Sequence, residues 1–327
     1  MLEKIDLSKK LDKKEYKALM EELDAKLGRL QRICKEKKIP VAIVFEGLGA
    51  AGKGTMINRL IEPLDPRGFK VYTTQQETPE EKYYPFLWRF WNTLPGKGRI
   101  SILDRSWYRI LLNDRFDGKT GKKSLATAFD EINSFEEVLT DDNMILIKFF
   151  LVISQKEQKK RFKKLEDSKE TAWRVTADDW KRNEQYDEYF QLAEEALEKT
   201  DRDNAPWTII EAEDKEYASA KIASTVVKRL EEAIAAANLF GALFNMPVKV
   251  GNSSVFAGKA AEFMKTPYLG KNGHIAIKTN SVERAVANLE MRGVKFNAES
   301  AKKDAKGMIA IYLQDEICGF AVHLVRK

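Results

Sequence analysis

The stretch GLGAAGKGT at 47–55 follows directly on the apolar run Val41-Ala42-Ile43-Val44-Phe45. A β-branched strand that ends in a glycine-rich turn and opens a helix is how a backbone wraps a phosphate. Glycines allow close approach and unusual dihedrals, successive backbone N–H groups face the anion, and the Lys53 ammonium reaches the next phosphate. The strict pattern has Ser or Thr immediately after the lysine; here Gly54 intervenes and Thr55 comes one place late. Met56, Ile57, Leu60 and Ile61 continue as an apolar helical stripe. In this context Gly47, Gly49, Ala50, Ala51, Gly52, Lys53, Gly54 and Thr55 form the expected phosphate cradle.

A chain of 327 residues has room for a sizeable core and for two domains. Charged residues make up 32% of it and the mean hydropathy is -0.45, the composition of a soluble protein. No apolar run precedes a cleavage site or spans a membrane, so the expectation is a cytoplasmic protein with no membrane partner. Cys34 and Cys318 lie far apart, without metal or redox spacing, which suits a reducing compartment. A formal net charge of +6 and a pI near 9.0 point to a polyanionic partner, unless the lysines serve solubility alone. Zinc-finger spacing, an aromatic RNP signature and a recognition helix are all missing, so nucleic acid is not the expected polyanion.

Residues 12–38 carry Tyr16, Leu19, Met20, Leu23, Leu27, Leu30 and Ile33 at three- and four-residue steps, which predicts an amphipathic helix packed on the domain or on a partner subunit. Residues 69–74 read as a second strand. Residues 79–94 read as one aromatic-rich helix in which Arg89, a cation among apolar rings, wants a carboxylate or phosphate partner. Residues 99–104 read as a strand ending in Asp104, followed by Arg105-Ser106-Trp107-Tyr108-Arg109. A carboxylate at the end of a strand beside the phosphate-loop strand is placed to hold Mg²⁺, with a helix N-cap as the architectural alternative. Residues 144–153 form a near-continuous apolar run, as in a strand buried on both faces. From 155 to 182 the segment crowds Lys156, Lys159, Lys160, Arg161, Lys163, Lys164, Lys169, Arg174, Lys181 and Arg182. It is either a solvated helical hairpin or a lid whose cations close over a polyanion. A short strand at 207–211 and a helix at 217–237 complete an α/β pattern with a mostly parallel sheet.

Four motifs together carry a resemblance: FEGLGAAGKGT at 45–55, PFLWRFWNTLP at 85–95, ILDRSWYR at 102–109 and TAWRVTADDW at 171–180. Through them residues 1–236 resemble the polyphosphate kinase 2 family, especially its polyphosphate:AMP phosphotransferase branch. The resemblance implies a P-loop kinase-like fold with a helical lid at about 155–182. It also implies Mg²⁺-dependent phosphoryl transfer between inorganic polyphosphate and a nucleoside mono- or diphosphate, with AMP favoured as acceptor. Carried over by position, Lys53 and the loop amides hold the transferring phosphate and Asp104 binds Mg²⁺. Arg105, Arg109, Arg161 and Arg174 neutralise phosphate charge, and Arg89 is a further candidate. Two positions depart from the family pattern: Gly49 stands where an acidic residue is usual, and the place of a second lid arginine falls near Leu165.

The C-terminal domain is expected at 237–327. A strand at 273–279, a helix at 282–292 ended by Gly293, and strands near Phe296, at 309–313 and at 320–325 make a βαβββ unit, a small α+β module. It resembles a half-module of the vicinal oxygen chelate (glyoxalase) superfamily. Through NSSVFAGKAAEFMK, PYLGKNGHIAI and GFAVHLVRK, residues 239–327 resemble the C-terminal extension of some bacterial 2-keto-3-deoxy-6-phosphogluconate aldolases; the aldolase barrel is absent. The two histidines, His274 and His323, fall in the first and last strands and are candidate ligands of a second metal site, or else a structural pair. A homo-oligomer is expected, with the C-terminal unit as dimerisation element or ligand sensor. Two other functions stay open: a polyphosphate- or nucleotide-binding protein with weak catalysis, and an ATP-dependent small-molecule kinase.

Overall fold

A computed structural model describes residues 1–243, 248–250, 254–257, 261–264, 274–305, 307–316 and 321–326. The chain divides into two compact units, residues 1–140 with 144–231, and residues 141–143 with 232–327. No helix among the described residues is long and apolar enough to cross a membrane.

In the first unit α1 (Lys13–Glu36) starts on Asp12, whose carboxylate accepts from the Lys14 N–H, and buries Met20, Leu23, Leu27, Leu30 and Cys34. β1 (Val41–Gly47) leads through the glycine-rich turn into α2 (Lys53–Ile61), and β2 (Phe69–Thr73) follows. Residues 79–94 are not one helix. They form a short 3₁₀ turn at Glu81–Tyr83 and a single helical turn, α3 (Trp88–Trp91). Pro85 has no N–H to give and pushes Tyr84 into extended geometry, φ −115° and ψ 159°. The aromatic character of the segment is therefore not that of a core helix: Phe90 is buried, while Tyr83 is 88% and Trp91 51% exposed.

β3 (Ile100–Asp104), α4 (Asn113–Phe116), α5 (Lys122–Asp141) and β4 (Ile145–Val152) come next. Then α6 (Gln155–Glu166), α7 (Ala177–Glu184) and α8 (Tyr186–Thr200) precede β5 (Trp207–Glu211) and α9 (Lys215–Leu243). The five strands pair in parallel in the order β2-β3-β1-β4-β5. β1 lies where the chain crosses from one half of the sheet to the other, the place where open α/β sheets bind ligands beyond their carboxyl ends. Phe45 stands opposite Asp104 in the β1–β3 register, so the glycine-rich turn and the β3 carboxylate leave the sheet side by side.

Every residue of β4 is buried, one of them a lysine. Lys148 Nζ donates to Glu136 Oε2 (2.7 Å), the Tyr108 hydroxyl (2.9 Å) and the Thr200 carbonyl (2.9 Å). Glu136 Oε1 in turn accepts from Tyr108 OH (2.6 Å) and Trp107 Nε1 (2.9 Å). Burial pulls the Lys148 ammonium below its ordinary range, opposed by Glu136, and pushes the Tyr108 phenol well up. This network fixes the Trp107-Tyr108 pair three residues beyond Asp104.

The second unit holds a three-stranded antiparallel sheet, β6 (Val248–Val250), β7 (Ser254–Ala257) and β8 (Ala261–Met264), which sequence patterning does not predict. After it come β9 (His274–Thr279), α10 (Val282–Glu290), β10 (Phe296–Asp304), β11 (Gly307–Leu313) and β12 (Ala321–Arg326). These are the expected βαβββ elements, paired in the order β10-β11-β12-β9 with β12 and β9 parallel. Val282, Ile311 and Leu324 form its small core under Ala285, Val286 and Leu289. His274 opens β9 opposite Ala321; His323 is buried in β12, its ring 4.5 Å from that of Tyr312. No group of three or more His, Cys, Asp or Glu that could hold a metal ion occurs among the described residues. Cys318 and parts of the motifs quoted for 239–327 lie outside the described residues.

Candidate active site

Gly47 is the position that admits no other residue. Its φ is +136°, and a Cβ there would meet the Leu151 carbonyl oxygen at 2.3 Å. The loop then turns through Ala50 (φ +55°) and Gly52 (φ +100°), which opens α2 with Lys53 as first residue. The buried Lys53 ammonium donates to the Gly47 (2.9 Å) and Leu48 (3.1 Å) carbonyls. Burial, helped by the neighbouring Arg105, pulls it down to about 8, against the pull of Asp104, Glu46 and Asp179. Lys53 is thus folded back on its own loop.

Asp104 ends β3 with its carbonyl accepting from the Thr74 N–H (3.0 Å). Arg105, next along, is left-handed at φ +63°, a conformation that costs a non-glycine residue about 1–3 kcal/mol. Three neighbours over-determine it. Its N–H donates to the Phe45 carbonyl (3.0 Å), its own carbonyl accepts from the Thr74 hydroxyl (2.7 Å), and Ser106 gives both N–H (2.7 Å) and Oγ–H (2.9 Å) to Glu46 Oε1. Glu46 is therefore the strut beneath the Asp104-Arg105 turn. It was absent from the expected site, although a carboxylate in the otherwise apolar strand VAIVFEG is a visible signal.

Burial pushes Glu46 up to about 7, opposed by Lys53 and the Ser106 hydrogen bonds. The native state then holds a proton that the unfolded state, with an ordinary value of 4.5, has released. Stability accordingly falls as pH rises through the window from 4.5 to about 7. Glu46→Gln keeps an oxygen for Ser106 and removes the titration. Its stability relative to wild type should rise between pH 5 and pH 8, by on the order of 3 kcal/mol at most. Thermal melts in chelated, Mg²⁺-free buffer read this, and a difference independent of pH would exclude the assignment.

The basic segment behaves differently from expectation. Arg161 reaches the loop, but its bonds go to protein: Nε to Glu157 (2.9 Å), one terminal nitrogen to the Ala50 (3.2 Å) and Ala51 (3.4 Å) carbonyls, the other to the Ala212 (2.9 Å) and Glu213 (3.0 Å) carbonyls. It clamps four carbonyls here. Beside it Gln158 Nε2 donates to the Gly49 carbonyl (3.0 Å), and the Phe162 ring lies 3.2 Å from where a Gly49 Cβ would stand. An acidic side chain at 49 would have to displace that ring.

Of the other expected cations, Arg109 pairs with Asp114 (3.1 Å), and Arg89 finds the carboxylate its setting called for in Glu81 (3.4 Å), with a further bond to the Gln75 carbonyl (3.2 Å). Arg174 is exposed over the Trp173 ring. The structure thus gathers Lys53, Asp104 and Arg105 at the loop and leaves Arg89, Arg109 and Arg174 on local partners. A cavity at Gly47 and Gly49 is walled by Arg105, Asn113, Asp179, Arg182 and Tyr189. Arg182 is held there by both oxygens of Asp117 (2.8 and 2.9 Å), and Tyr189 OH donates to Asn113 (3.1 Å). Of these wall residues Arg105 was expected at the site and Arg182 was readable as one cation of a long run, whereas Asn113 and Tyr189 carried no signal in the sequence.

The sequence profile described as Polyphosphate kinase 2 (PPK2) matches residues 10–237. The chain belongs to the polyphosphate kinase 2 family. A Polyphosphate:AMP phosphotransferase of Pseudomonas aeruginosa is 36% identical over 236 residues, which are 71% of this chain and 47% of that protein. The chain thus spans about half the length of this relative, and the same holds for a second from Pseudomonas syringae. An NDP-polyphosphate phosphotransferase 3 of Ruegeria pomeroyi is 32% identical, covering 67% of this chain and 72% of that protein. Among solved structures, Polyphosphate Kinase 2 from Arthrobacter aurescens TC1 superposes with a TM-score of 0.67 at 29% identity, over 71% of this chain and 85% of that one. The polyphosphate kinase 2 match takes in the phosphate loop, Asp104, Arg105 and all of α6 to α8, and stops before β6.

Proposed function

We propose that this chain transfers a phosphoryl group between inorganic polyphosphate and a nucleotide with Mg²⁺, AMP to ADP being favoured and ADP to ATP possible. The observation that carries the reading is the convergence of Lys53, Asp104 and Arg105 at the carboxyl ends of β1 and β3, in a chain whose relatives are named for this transfer. A loose phosphoryl transition state spreads charge over its equatorial oxygens, so positioning and electrostatics suffice and no protein nucleophile is needed. The loop amides and Lys53 would hold the transferring phosphate, and Arg105, pre-set by its strained turn, would face the developing charge. Mg²⁺ takes one or two carboxylates and completes its shell with water and substrate phosphates. A half-buried carboxylate, Asp104, beside a loop that adds none at Gly49 fits that habit. When bound, the ion would neutralise phosphate oxygens, with Asp104 to hold it and Lys53 beside that carboxylate.

Incubating the protein with Mg²⁺, polyphosphate as sole donor and AMP or ADP, then separating the nucleotides, tests the reading. ADP or ATP should accumulate, and no product with either acceptor in either direction would reject it. The Phe162 ring on Gly49 favours a second reading, a polyphosphate- or nucleotide-binding protein with weak turnover. Tight binding without product would establish it, whereas product from ATP with polyphosphate inert would indicate an ATP-dependent kinase.

A further inference from the structure

Helix α6 has two chemically distinct faces. Gln158, Arg161 and Phe162 hold or touch the phosphate loop. On the outside, Lys156, Lys159, Lys160, Lys163 and Lys164 are all exposed. Only Lys160 has a carboxylate partner among the described residues, Glu157 at 3.2 Å, in an exposed pair worth less than about 1 kcal/mol. A rise of 1.5 Å per residue spreads the five ammonium groups along roughly 12 Å of helix. Lys156 and Lys160, Lys159 and Lys163, and Lys160 and Lys164 are like-charge i,i+4 pairs, each costing an isolated helix a few tenths of a kcal/mol. A face that only needed solvation would do better with mixed signs. These lysines also point away from the loop, so they do not line the cavity where transfer would occur.

We propose that the outer face of α6 is an auxiliary seat for the non-reacting stretch of a long inorganic polyphosphate, whose end occupies the phosphate loop beneath the same helix. The inference rests on the polyphosphate reading above. Polyphosphate presents one charge per phosphate along a flexible chain with no bases, and mobile lysine ammoniums suit it as point charges. The aromatic residue of α6, Phe162, is buried on the opposite face, so the row lacks the stacking platform of a single-stranded nucleic-acid site. A second seat joined to the first through one chain raises affinity by effective concentration, and does so only for chains long enough to reach both.

The test is equilibrium binding of long-chain polyphosphate and of tripolyphosphate, across a range of salt, to the full chain. Three proteins are compared: wild type, a variant with Lys156, Lys160, Lys163 and Lys164 replaced by glutamine, and a control with exposed Lys10, Lys13, Lys14 and Lys17 replaced likewise. Glutamine keeps helix propensity, and melting curves confirm the fold. In the α6 variant, affinity for long chains should fall roughly tenfold or more. Its salt slope should flatten by about 3, the share of four lysines on a single-stranded polyanion. Tripolyphosphate affinity should stay within about twofold. The control should keep the wild-type preference for long chains. The seat is overturned if that preference survives in the α6 variant, falls equally in the control, or is matched by a single-stranded oligonucleotide of equal charge. Length-dependent binding without nucleotide product would reject the transfer reading and leave the seat standing. Product formation with no α6-dependent length preference would do the reverse.

Discussion

Asp104→Asn is expected to lower phosphoryl transfer by at least 10²–10³-fold, the scale on which removing one charge-stabilising group acts. The amide keeps the shape of the carboxylate and removes its charge. Asp104 is fixed through its backbone, by Thr74 and by its place opposite Phe45, and its charge touches the fold only through the Lys53 ammonium, which Glu46 and Asp179 also support. The melting temperature of Mg²⁺-free protein should therefore stay close to wild type while product formation fails. Undiminished turnover would remove Asp104 from the mechanism, and a large fall in stability would make it an architectural residue.

The largest effect on stability is expected at Lys148→Met. Breaking a buried ion pair by removing one partner costs about 3–5 kcal/mol, because the surviving charge is stranded. Here Glu136 would keep only Trp107 and Tyr108 as donors, in a setting where both charged side chains are essentially without solvent. Adding Glu136→Gln should recover part of the loss, since the second charge then leaves the interior. Urea unfolding of wild type, both single variants and the double variant forms a cycle, and coupling under about 1 kcal/mol would show the pair to be incidental. Because the network also anchors Trp107 and Tyr108 beside the Asp104-Arg105 turn, turnover should fall with stability in the single variants.

The framework of the first unit was legible because its signals are local. Val41 to Phe45, the glycine turn and the stripe from Met56 to Ile61 each state strand, loop or helix within a few residues, and the charge at the end of β3 placed Asp104 correctly beside β1. What escaped is set by tertiary context. Lys148 sits in a run of apolar neighbours and becomes intelligible only when Glu136 and Tyr108 arrive from elsewhere in the chain. Glu46 reads as one polar residue at a strand end until Ser106 comes down on it. Arg161 was assigned by its position in the resemblance, and its bonds to four carbonyls, a product of tertiary context, could not be read from the sequence. The segment at 79–94 misled because rings at helical spacing outweighed the single veto of Pro85. In the second unit the βαβββ pattern was readable, whereas β6 to β8, three or four residues each, are too short for periodicity to register.

The clamp made by Arg161 has a mechanical consequence. With Arg161, Gln158 and Phe162 all fastened to residues 49–51, the first two turns of α6 form one rigid block with the phosphate loop. The pivot of any opening motion then lies beyond Phe162, and the moving arm starts there, carrying α7. Its far end is tied at Arg182 to Asp117 and at Asn183 to Gln155 and Gln158. Any swing of the segment beyond Phe162 must therefore release both the Asp117 hook and the Asn183 ties.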